Sequence, residues 1–196
     1  MKQSLLLGAV LLISAPAFAD TSLFAEYSAH NGKFENNIDA DLKGGAFGIS
    51  SLPAQGGFFG KLEYLKNSEY SADYYEVSAG GQLNLYNAHN AYLLGTLGAG
   101  FGVGSADGFD DTNYFTIPVG LEAGYKFNQN VSAYGGVGYK WAYEIKDNRT
   151  LCNDGSRSDS HGSGTCSWHG GVSDYEEYTI GDFDGLTYKV GLRYNF

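Results

Sequence analysis

The residue types best suited to chemistry gather in the last quarter of the chain. Cys152, His161, Cys166 and His169 offer two thiols and two imidazoles, donors that suit zinc. His161-x-Ser163, with Glu176 or Glu177 downstream, offers a base, a hydroxyl nucleophile and a carboxylate to orient the base. Asp147, Asp154, Asp159, Asp174, Glu176, Glu177 and Asp182 face only Lys146, Arg149 and Arg157. Seven less three leaves four excess acids, enough to hold divalent cations or simply to keep a surface segment hydrated. The Cys and His spacing fits no compact metal motif, and two cysteines in an exported chain read first as one disulfide. A Cys152–Cys166 bond closing that 15-residue span would contribute ~3 kcal/mol by chain entropy. The Ser–His–Glu trio stands among Gly and Ser, where chance spacing is common, and on no regular element able to hold it within hydrogen-bond reach. We therefore assign no catalytic residue, no metal and no cofactor. His30 and His89 read as polar residues at strand ends.

These residues need a scaffold, and composition says which kind. The 196 residues carry 12 Lys plus Arg against 22 Asp plus Glu, a net charge of −10 that argues against a nucleic-acid partner. At 43% hydrophobic and 17% charged, the chain is too apolar for intrinsic disorder. With 29 Gly and 16 Tyr but one Met, it favours strands and turns over helices. Residues 1–19 read as a signal peptide. Lys2 gives the positive start, Leu5 to Ile13 the apolar run, and Ala17-Phe18-Ala19 the cleavage triplet. Cleavage leaves 177 residues and a charge of about −11. No later stretch approaches the ~18 apolar residues of a membrane helix.

From Leu23 onward the hydrophobic period is two. Tyr75, Val77, Ala79, Gly81, Leu83 and Leu85 share one face; Glu76, Ser78, Gly80, Gln82 and Asn84 share the other. The same alternation predicts strands around 92–103, 115–127, 131–144 and 186–196, and less regularly at 22–30, 38–51 and 58–66. In 38–51 the phase changes between Leu42 and Phe47, which predicts a bulge at Gly44-Gly45. Eight strands result, most of them long enough to cross a bilayer at a tilt. Tyr27, Tyr64, Tyr75, Phe101, Phe115, Tyr139, Trp141 and Tyr143 fall near one end of their strands; Tyr86, Tyr125, Phe127, Tyr194 and Phe196 fall near the other. Two aromatic girdles around an aliphatic band match the two membrane interfaces. Hydrocarbon cannot satisfy an open sheet edge, so the sheet must close into an all-β, eight-stranded antiparallel up-and-down transmembrane barrel spanning residues 20–196. Short links are expected at 51–57, 87–90 and 128–130, and longer ones at 31–37, 67–73, 104–113 and 145–183.

A barrel of eight strands is just wide enough for side chains to fill it. Lys61, Glu63, Glu76, Glu122, Lys140, Lys189 and Arg193 would point inward, and burial demands that they pair into a network that blocks a wide channel. The inward glycines Gly80, Gly98, Gly100, Gly102, Gly120, Gly124, Gly136, Gly138 and Gly191 either make room for Tyr74, Tyr92 and Tyr134 or leave a wet cavity.

The segment after residue 19 resembles the small outer-membrane β-barrel superfamily of the OmpA membrane domain and OmpX. Its sharpest element is Lys189-x-Gly191-x-x-Tyr194-x-Phe196, which fits that superfamily's C-terminal assembly signal. The resemblance implies insertion by the barrel-assembly machinery and a place in the bacterial outer membrane among lipids and lipopolysaccharide; the filled lumen, the long last loop and the absent catalytic signature lead us to expect a monomer without enzymatic activity. His161, Ser163 and the downstream Glu superficially resemble the lipid A deacylases of that membrane, but that family's flanking residues are missing. The expected role is structural or surface interaction through the outer loops, with a ligand the sequence does not identify. A narrow passive pore is the alternative, and a loop-borne lipid A hydrolase a second.

Overall fold

The computed structural model describes residues 20–34, 39–69, 71–107, 109–146, 150–160, 162, 164–173 and 181–196. The segment 1–19 lies outside the described residues, as do Ile38, Asp147, Arg149, His161, Ser163, Asp174, Glu176 and Glu177.

Eight long strands close into a barrel: β1 (Thr21–Phe34), β2 (Asp39–Ser51), β3 (Gly57–Asn67), β4 (Ala72–Ala88), β5 (Ala91–Ser105), β6 (Thr112–Lys126), β7 (Val131–Glu144) and β10 (Phe183–Asn195). A small hairpin, β8 (Thr150–Leu151) with β9 (Arg157–Ser158), sits inside the last link. Every neighbouring pair is antiparallel, and β10 closes the cylinder against β1 from Ser22↔Asn195 to Phe34↔Phe183. Each of the eight barrel strands has a strand partner on both sides, the condition a sheet must meet in hydrocarbon.

The two-residue period sorts the side chains. Phe47, Leu62, Val77, Leu97, Leu121, Val137, Val190 and Leu192 point outward and are exposed. In water such an apolar band would be costly; toward lipid it is the favourable face. Aromatic pairs flank it, with Tyr64–Tyr75, Phe101–Phe115 and Tyr139–Trp141 toward the loop end and Tyr125–Phe127 and Tyr194–Phe196 toward the turn end.

Three local expectations are corrected. No bulge occurs at Gly44-Gly45: β2 runs in unbroken register against both β1 and β3. The phase change there has another cause, since Leu42 points inward and packs with Leu65 and Phe183 under the loops. Gly44 instead allows β3 to approach, because a Cβ there would lie against the Tyr64 carbonyl oxygen. The irregularity falls between Asn84 and Tyr86, where Leu85 is the extra residue and Leu85 and Tyr86 both face outward. Second, His30 is not a loop-edge residue. It lies in β1, points inward, and is 1% exposed against the Phe183 ring. Third, the strands run on past their expected ends. The first two loop-end links shrink to 35–38 and 68–71, no longer than the turn 52–56. The third, 106–111, is one residue longer than that turn, so it is chiefly the last link, 145–182, that makes one end of the barrel bulkier than the other.

Candidate functional site

The lumen is filled in layers. Nearest the loops, Leu42, Leu65, Tyr74, Tyr114, Ala142 and Phe183 form one apolar cluster. Nearest the turns, Phe24, Tyr92, Leu94 and Tyr134 form another. Glycines admit the tyrosines: a Cβ on Gly102 would collide with the Tyr74 ring, one on Gly124 with Tyr92, and one on Gly191 with Tyr134. The inward glycines next to these rings thus make room for them, as the first of the two expectations has it.

Between the clusters lies a charge network. Lys140 Nζ is 2.5 Å from Glu63 and 2.9 Å from Glu76. Lys61 reaches Glu63 at 2.9 Å and Glu26 at 3.4 Å. Lys189 lies 2.8 Å from Glu122 and 3.9 Å from Glu26, and Arg193 lies 2.7 Å from Glu122. All seven charged residues expected inside are here, joined by Glu26 of β1. Four carboxylates thus meet four cations, and the ion pairs sum to zero charge. Tyrosines finish the network: Tyr74 donates to Glu76 and Tyr134 to Glu26, both at 2.7 Å. The Arg193 guanidinium lies over the Tyr134 ring at 4.8 Å. A cavity of about 70 Å³ remains, lined by Glu26, His30, Lys61, Ser78 and Lys140 among others. Its lining mixes these polar groups with apolar ones such as Phe59 and Val137, and it is roomy enough for a few water molecules. Each buried charge is held by its opposite, which offsets the cost of taking it out of water.

Two residues of the C-terminal pattern serve the lumen as well: Lys189 pairs with Glu122, and Gly191 leaves space for Tyr134. Tyr194 and Phe196 stack outward at the turn end, their ring centroids 5.1 Å apart.

The last link carries the other concentration of polar groups. Cys152 and Cys166 are disulfide-bonded, with Cα atoms 5.4 Å apart. Both thiols are thereby used, which removes them as metal ligands. No group of three or more His, Cys, Asp or Glu positioned for a metal occurs among the described residues. Around the disulfide, the Asn153 side-chain amide donates to the Gly170 carbonyl, and Cys152 bridges Val172. Asp154 accepts from the Ser156 hydroxyl at 2.6 Å and from its backbone N–H, and its other oxygen lies 2.7 Å from His169 Nδ1. These bonds to Ser156, reinforced by His169, pull the Asp154 carboxyl down to about 2. The order is Ser–Asp–His, with the carboxylate in the middle, so the contact does not activate the serine as a nucleophile.

Charge is unevenly placed along the barrel axis. Among the described residues, the loop end holds Asp39, Asp41, Glu69, Asp73, Asp107, Asp110, Asp111, Glu144, Asp154, Asp159, Asp182 and Asp184. Against these twelve stand Lys33, Lys43, Lys66, Lys146 and Arg157, leaving seven excess acids. At the turn end Asp20 and Lys126 cancel. Alternation shows the inward charges before the fold is seen; this axial asymmetry needs the topology.

Comparison with known proteins divides along the same line. A family model described as a domain of unknown function, DUF3761, matches residues 148–176, all within the last link. No curated protein matches the chain. Among solved structures, Neisserial surface protein A superposes with a TM-score of 0.60 at 12% identity, covering 91% of this chain and 98% of that one. Ail, the attachment invasion locus protein of Yersinia pestis, does so with a TM-score of 0.50 at 17% identity, covering 90% and 97%. The chain shares the fold of these small eight-stranded outer-membrane barrels.

Proposed function

We propose that the protein is a bacterial outer-membrane barrel that works as a rigid mount, its function being contact made at the cell surface by its loops and chiefly by residues 145–182. The observation that carries this reading is the packing of the lumen. Two apolar clusters and a neutral charge network occupy the space a pore would need, so the groups left for recognition lie on the loops. The apolar exterior and its aromatic girdles suit the outer leaflet's lipid and lipopolysaccharide. Tyr194 and Phe196, outward at the end of the closing strand, together with Lys189 and Gly191, would be what the barrel-assembly machinery reads.

Two measurements test the reading. Purified protein in planar bilayers should give no steady conductance; a stable conducting state overturns it in favour of the narrow pore. Cells displaying the protein should adhere to protein-coated surfaces better than cells displaying a variant whose residues 147–176 are replaced by a short Gly-Ser linker. Equal adhesion overturns the role given to the last link. Release of an acyl chain from lipid A by the pure protein, lost in Ser163→Ala, would move the assignment to a hydrolase.

A further inference from the structure

We propose that Trp168 is the anchor by which the last link binds a cationic segment of a protein partner, an arginine or lysine side chain stacking on its indole. This inference rests on the surface-contact reading above and specifies the partner's chemistry.

Trp168 is 95% exposed. Large aromatics held clear of the protein are uncommon on soluble surfaces and are the residue type that most often dominates an interface. The backbone beneath it is fixed. Its neighbour Cys166 is buried and disulfide-bonded, Ser167 N–H donates to Gly164, and the N–H groups of His169 and Gly171 both donate to the Cys166 carbonyl. The Asn153 amide holds Gly170 and Asp154 holds His169. A ring carried on so constrained a turn has little backbone entropy left to lose on binding.

The field around it selects the partner. The loop end carries seven excess acids among the described residues, while the turn end and the lumen network are each balanced. Such a surface attracts cations from a distance and repels polyanions. Among side-chain rings, tryptophan is also the best acceptor of a cation on its face. Long-range steering and short-range stacking therefore ask for the same ligand. The match of a family model to residues 148–176 and to no barrel strand marks this segment as recognisable apart from its mount.

The test uses the full chain folded in detergent micelles and a fluorescein-labelled nine-residue oligoarginine as probe. Saturable binding that weakens with added salt is expected. Trp168→Ala should weaken it about three- to tenfold and Trp168→Phe less; an oligoglutamate of equal length should not bind. Wild-type affinity in Trp168→Ala overturns the anchor. If the 147–176 linker variant has meanwhile lost binding, the surface-contact reading still stands; if that variant binds like wild type, both fail. Failure of the oligoarginine to bind, or binding of the oligoglutamate, overturns the charge assignment. Because Trp168 is almost wholly exposed, its substitution leaves the barrel folded, and a gel-mobility check of the unheated protein confirms it.

Discussion

The lumen and the last link are built from the same charged residues under opposite physics. Inside, four acids and four bases are buried and held within ion-pair distance by strands that cannot move relative to one another. Their arrangement is dictated by desolvation, which punishes any unmatched charge. Outside, acids outnumber bases and remain hydrated; a disulfide and a few backbone bonds supply the order. The first region teaches how a narrow barrel is made solid, and the second how a segment without a core of its own is given local order.

The contrast is broken most severely by unbalancing the interior. Lys140→Met leaves Glu76 with no cation within ion-pair distance in the network and Glu63 with Lys61 alone. A loss of about 3–5 kcal/mol in unfolding free energy is expected, read by urea titration in micelles. Adding Glu76→Gln should recover part of it. Next comes packing: Gly124→Ala drives a methyl into the Tyr92 ring and should cost about 1–3 kcal/mol by the same titration.

Reducing the outer region to an ordinary loop sharpens the comparison. Cys152→Ser with Cys166→Ser removes ~3 kcal/mol of local order, on the order of a hundredfold in the open population. Trypsin should then cut faster at the exposed Arg157, while the barrel's urea midpoint stays put. The smallest effect is titration of Asp154. Its carboxyl is depressed to about 2, so the contacts with Ser156 and His169 add their stability above the ordinary aspartate range and lose it as pH falls through 2. Carboxyl carbon chemical shifts of Asp154 should show no titration near pH 4.

Strand number, closure and the direction of each face were legible because lipid outside and side chains inside impose strict alternation. The inward charges followed from the same rule. Leu42 misled it: in the part of β2 nearest the loops the lumen is itself apolar, so an inward leucine looked like a slipped register. His30 misled it in another way, because a polar residue near the end of a predicted strand carries no sign that the strand continues to Phe34. The last link offered composition without periodicity. Its disulfide could be inferred from export, but the exposure of Trp168 depends on turns that no repeating pattern encodes.

The staple also bears on how the cylinder closes. The 38 residues of 145–182 tether β10 to β7, and until β10 docks, β1 has no partner on one side. Bonding Cys152 to Cys166 takes 13 residues out of that tether, since the chain can cross directly between the two sulfurs. Ring-closure entropy grows with the logarithm of length, so the search of the final strand for its neighbour becomes cheaper by a few tenths of a kcal/mol. Oxidation ahead of docking would thus hasten the last step of assembly as well as shape what the finished protein displays.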